Sequence, residues 1–153
     1  MSSALAKTAL LKAISQLGEE EKPRGSNWGI PVEIYLARVK INFPASWCMA
    51  FVYWAFDESA IQLNIENPLI QTGGVLHAWN LAKADHAVKT PQEGDIFIMD
   101  FGNGTGHTGI VKGVSDTHID TVEGKSNDTG GREGFEVCLR RRLMIVMKGY
   151  GRY

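Results

Sequence analysis

Cysteine is scarce in this chain of 153 residues: there are two, Cys48 and Cys138, far apart in sequence and in no paired motif. That excludes a small disulfide-stapled scaffold and a cysteine-based zinc module. Cys138 lies in the alternating stretch Phe135-Glu136-Val137-Cys138-Leu139 and reads as a small apolar packing residue. Long apolar runs are also missing, so no membrane span is expected. Between Met1 and Leu17, Lys7 and Lys12 are spread through a periodic pattern. A secretory signal needs a basic head followed by an apolar block, so none is read here and synthesis in the cytoplasm is expected. An excess of one charge is lacking: 16 Lys and Arg stand against 17 Asp and Glu, a net charge of -1. With a pI of about 6.4, no attraction to nucleic acid is expected. The one basic cluster, Arg140-Arg141-Arg142, reads as a solvated strand end, with Arg140 and Arg142 on one face and Arg141 on the other. His77, His86 and His118 fit no zinc spacing, so neither metal nor cofactor is expected.

What remains is a globular composition, 44% hydrophobic and 22% charged, of the size of one domain over residues 1–153. Residues 3–17 carry Leu10, Ala13, Ile14 and Leu17 at helical spacing, with Gly18 placed to end the helix. A charged loop follows over Glu19 to Ser26. A second helix begins near Pro31 and turns Tyr35, Leu36 and Val39 inward. Ser46 then precedes a third helix in which Ala50, Phe51, Trp54 and Ala55 repeat, and a fourth spans Val75 to Ala84. Beyond it the texture changes to strands at 95–100, 107–114, 118–122, 135–140 and 143–148, separated by Gly, Asn, Asp and Ser. Helices first and an antiparallel meander second predict an α+β fold with a sheet of about five strands.

Two segments carry chemistry. Trp47-Cys48-Met49-Ala50-Phe51-Val52 puts a cysteine in the first turn of an apolar helix, where unpaired backbone N–H groups face the sulfur. Gly106-His107-Thr108-Gly109-Ile110-Val111 puts a histidine at the head of a β-branched run after a glycine-rich loop. A thiol is a strong nucleophile only as thiolate, a form favoured by a helix N-terminus and a nearby imidazolium. Cys48 as nucleophile and His107 as its base is therefore the chemical reading, and a disulfide to Cys138 is not expected because it would consume the thiol. Trp47 is expected as a flat wall of the cleft. In a hairpin of 107–114 with 118–123, Glu123 comes opposite the His107 end, on the face of Ile119 and Thr121. It can hold one imidazole nitrogen and leave the other for the thiol. Asn127 is the alternative orienter or a substrate contact.

Together with Asn27-Trp28-Gly29, Pro91-Gln92-Glu93-Gly94-Asp95 and Thr121-Val122-Glu123-Gly124, these segments resemble the CHAP family. These are cysteine, histidine-dependent amidohydrolases/peptidases of the papain-like, NlpC/P60 superfamily, and the compact form is similar to phage-related members. The resemblance covers about residues 20–147. It implies a papain-like fold, Cys48, His107 and Glu123 as the catalytic residues, and cleavage of an amide bond in peptidoglycan. That bond lies either between muramic acid and the stem peptide or within the peptide. Asn27, Trp47 and Asn127 are the candidate substrate contacts. Relatives often have Asn two residues after the glutamate, where this chain has Lys125.

A phage or prophage endolysin would be a monomer working with a holin, in the periplasm or wall after release. Other readings stay open: an interbacterial effector with a secretion apparatus and an immunity protein, a cytosolic amidase on a small peptide, and an inactive wall-binding module.

Overall fold

Ser3 sets the start of the first helix, its hydroxyl accepting from the Ala6 N–H at 3.0 Å. In the computed structural model, which describes residues 2–126 and 134–153, this helix, α1, spans Ala4–Ile14 and buries Leu5, Ala6, Ala9, Leu10 and Ala13. Helix α2, Ile30–Arg38, has proline in its first turn and buries Val32, Tyr35 and Leu36. Helix α3, Cys48–Leu63, ends at Asn64 in the left-handed conformation, and α4 spans Val75–His86. Every residue of α3 from Cys48 to Phe56 is buried, because the helix is packed by α1 and α2 and by the sheet. That enclosure explains a segment that is apolar all round instead of on one stripe. Among the described residues no helix is long and apolar enough to cross a membrane.

The strands are β1 (Ala87–Val88), β2 (Ile96–Gly102), β3 (Thr105–Val114), β4 (His118–Ser126), β5 (Glu136–Leu143) and β6 (Gly149–Gly151). They form one antiparallel sheet in the order β1-β6-β2-β3-β4-β5. The fold is α+β, as the sequence predicts, with six strands in place of about five. Strands β2 to β5 are the expected meander. The expected strand at 143–148 does not form: Leu143 ends β5, Met144–Val146 make a 3-10 turn, and β6 returns along the far edge of β2. Burial explains the difference. Ile96, Ile98, Ile110, Val122 and Val137 pack with the helices, while the alternating positions Phe97, Val111 and Ile119 gather with Tyr150 in a second cluster. Met144 and Met147 pack on that cluster, so the segment leaves the sheet to cover its second face. The N-terminus of α3 meets β3 and β4, and that junction carries the chemistry.

Candidate active site

Cys48 is the first residue of α3, preceded by Trp47 at the cap with no side-chain capping bond. The N–H groups of the first turn have no acceptor inside the helix, and the positive end of the helix dipole lies at the sulfur. Trp47 is not a cleft wall, contrary to the expectation from sequence. It is fully buried, stacked on Tyr35 with ring centroids 5.7 Å apart. Its indole N–H needs an acceptor once it leaves water, and the Nε1 donates to Glu21 Oε2 at 2.8 Å. Glu21 is itself fully buried and also accepts from the Gly25 N–H at 2.8 Å.

His107 lies near the start of β3, paired with Met99 of β2. Its Nε2 meets Glu123 Oε1 at 2.8 Å, and its ring also hydrogen-bonds the Cys48 side chain. With Nε2 held by the carboxylate, Nδ1 is the nitrogen left for the thiol. Glu123 has no solvent exposure and gathers further donors. Thr121 Oγ1 donates to its Oε2 at 2.6 Å, Arg142 Nε to Oε2 at 2.5 Å, and Arg142 Nη2 to Oε1 at 2.6 Å. Burial opposes the charge on His107, but the hydrogen bonds and charges of Cys48 and Glu123 outweigh it and push its pKa up to about 9. Burial likewise works against the Glu123 carboxylate, yet Arg142 and His107 hold it down at about 2. The site is thus charged: imidazolium, carboxylate and guanidinium in a row.

The backbone leaves little room around this row. A Cβ at Gly109 would lie 2.7 Å from Phe97 Cε2 and 2.8 Å from Glu123 Cγ, so glycine is required where the carboxylate crosses β3. The thiol and the ring meet in a cleft of about 320 Å³. Asn27, Ser46 and Lys125 line it beside Cys48 and His107, with walls from the α4 N-terminus and the β2–β3 turn. Lys125 Nζ donates to Asn27 Oδ1 at 2.6 Å. Asn127 lies outside the described residues.

Four residues of this site carry no local sequence signal that assigns them to it: Arg142, Thr121, Lys125 and Glu21. The sequence predicts Arg142 at a solvated strand end, but its side chain is only 11% exposed and faces Glu123. The signal was there in part, since a carboxylate on a buried strand face calls for a cation from the next strand. Which arginine supplies it depends on the β4–β5 register, in which Arg142 stands opposite Ile119, on the face of Thr121 and Glu123. His86 and His118 take structural partners, the Arg152 carbonyl and the Thr117 hydroxyl. Cys48 and Cys138 form no disulfide with each other. Among the described residues, no group of three or more His, Cys, Asp or Glu side chains is arranged to hold a metal ion.

A thiol at a helix N-terminus, an imidazole in contact with it and a carboxylate on the far ring nitrogen are the parts of a nucleophilic acyl-transfer site. Comparison with known proteins agrees with that chemistry. No curated protein matches the chain. Solved structures that share its fold include two of one protein. "The crystal structure of Ly7917" is 18% identical with a TM-score of 0.55, covering 96% of this chain and 61% of that one. "The crystal structure of Ly7917 with the hydrolyzing product of MDP" is 15% identical with a TM-score of 0.53, covering 96% and 62%. The chain therefore spans about six tenths of the length of these relatives. The CHAP domain model matches residues 40–125, more than half of the chain and a span that contains Cys48, His107 and Glu123. The chain thus belongs to the CHAP domain family.

Proposed function

We propose that the protein cleaves an amide bond of peptidoglycan, with Cys48 as nucleophile, His107 as general base and acid, and Glu123 as the orienter of the imidazole. The observation that carries this reading is the contact of the thiol and the carboxylate with the same ring, at an open cleft. The Cys48 sulfur attacks the carbonyl carbon, and the Cys48 N–H at the helix start meets the oxyanion. His107 gives its proton to the departing amine, and the same imidazole then activates the water that releases the acyl group. Glu123, locked by Arg142 and Thr121, keeps Nε2 occupied so that Nδ1 faces the sulfur.

Peptidoglycan is the substrate class of the family resemblance, and the second Ly7917 structure is of that protein with the hydrolyzing product of MDP. The bond is either that between muramic acid and the stem peptide or one within the peptide. The setting we propose is a phage- or prophage-type lysin that meets the wall after release from the cytoplasm. Purified sacculi test the reading. Mass spectrometry of the released fragments identifies the new amino terminus and so the bond. Cys48→Ala and His107→Ala are expected to lower release by at least about 10³-fold while the circular dichroism spectrum is kept. Undiminished release by Cys48→Ala rules the mechanism out.

A further inference from the structure

Acyl transfer at Cys48 has one oxyanion donor in the helix-start N–H and needs a second. Asn27 lines the cleft with Ser46 and Cys48, held at a left-handed φ of +56°. Its side-chain oxygen accepts from Lys125 Nζ at 2.6 Å. An ammonium group has donors only, so the atom against it is the amide oxygen and the Nδ2 end points elsewhere. Among the described residues Nδ2 has no hydrogen-bond acceptor, which leaves its two N–H groups for a molecule in the cleft.

Lys125 is built in for this contact. It is 8% exposed and sits at a left-handed φ of +54°, a costly conformation for a bulky side chain, where the β4–β5 register shifts. Its Nζ is also 3.7 Å from Glu21 Oε2, on the buried carboxylate that holds Trp47 and the Gly25 N–H. A line of partners therefore runs from Glu21 through Lys125 to the Asn27 amide.

We propose that Asn27 Nδ2 is the second oxyanion donor and that Lys125 is the positioning residue that aims and polarises it. This rests on the reading of Cys48 as nucleophile. As the sulfur–carbon bond forms, the carbonyl π pair moves onto oxygen, where Nδ2–H and the Cys48 N–H receive it. When the pair returns, the carbon–nitrogen bond breaks and the amine leaves with the proton of His107. The positive charge behind the Asn27 oxygen draws density from the amide and strengthens its N–H as a donor.

The test separates acyl transfer from thiol reactivity. Alkylation of Cys48 by iodoacetamide makes no oxyanion, so its rate reports the thiol alone. Asn27→Ala is expected to lower kcat on a muramyl-peptide amide by about 10²-fold, with KM and the alkylation rate close to those of the wild type. Asn27→Asp keeps a partner for Lys125 but offers the oxyanion an acceptor, and should lose at least as much. Lys125→Met should lower kcat by about tenfold in the wild type and have little further effect in the Asn27→Ala background. A wild-type kcat in both Asn27 variants, or a loss confined to KM, overturns the donor role. Losses that multiply in the double variant overturn the positioning role. A wild-type Cys48 that resists alkylation sinks the nucleophile reading itself, a result distinct from either.

Discussion

A carboxylate with no exposure persists in a folded chain only when its charge is matched, and at Glu123 the main match is Arg142. The guanidinium gives two donors to two oxygens, at 2.5 and 2.6 Å, in the fork geometry that lysine lacks. Removing it leaves a buried charge held, among the described residues, by the Thr121 hydroxyl and His107. We expect Arg142→Met to cost about 3 kcal/mol, read from the urea midpoint, and to lower turnover because Glu123 no longer fixes the imidazole. Arg142→Lys should recover part of the stability, as a single point charge in place of the fork. Arg141, one residue away, provides the contrast: its side chain is 57% exposed and pairs with Asp120 at 3.2 Å across the surface. Arg141→Met should change stability by no more than about 0.5 kcal/mol. Equal costs at the two positions would mean that the Glu123 pair has no special weight.

At the scale of elements, β3 is the strand that the site cannot reshape. A methyl group at Gly109 would press on Phe97, the Val122 carbonyl and the Glu123 side chain at 2.7–2.8 Å, whereas at Gly113 it would meet only Asp120 Oδ2 at 3.7 Å. Gly109→Ala is expected to cost about 1–3 kcal/mol and to depress activity further by displacing Glu123, while Gly113→Ala should do neither. Thermal melts and turnover measured side by side decide it, and a tolerant Gly109→Ala would show that the carboxylate can shift without loss. The same strand shows what could be read from the chain. His107 at the head of a β-branched run and Glu123 at the end of the next run are related by one hairpin, so local alternation places them together. Cys48 in the first turn of an apolar helix is equally local. Trp47 and Arg142 are not legible locally because their surroundings come from distant segments: Glu21 and Tyr35 enclose the indole, and the β4–β5 register chooses the arginine. The 143–148 segment failed for a related reason. Met144 and Met147 suit a strand as well as they suit a cover over Phe97 and Tyr150, and only the packed sheet face decides between them.

Over the whole molecule, the buried charged row ties stability to pH in two directions. His107 is raised from 6.5 to about 9, so folding holds its proton more tightly than the unfolded chain does. Its contribution is complete below about 6.5 and is lost as the pH rises through about 9. Glu123 is lowered from 4.5 to about 2, so its contribution is complete above 4.5 and is lost as the pH falls through about 2. The two limbs leave a plateau between about pH 4.5 and about pH 6.5, with stability declining on both sides. Thermal midpoints across the range should trace that dome. Cys48→Ser removes the thiol that helps to raise the His107 pKa, and a serine hydroxyl does not ionise in this range. The alkaline decline should therefore still begin near pH 6.5 but end at lower pH and with a smaller total loss in Cys48→Ser, while the acid limb, set by Glu123 and Arg142, keeps its place. The imidazole resonances of His107, followed by NMR, give the same answer at the residue itself: a titration near pH 9 in the wild type and an earlier one in the variant. An alkaline limb that ignores the thiol would mean that sulfur and ring do not share a proton in the folded protein, and the acyl-transfer site would lose its first step.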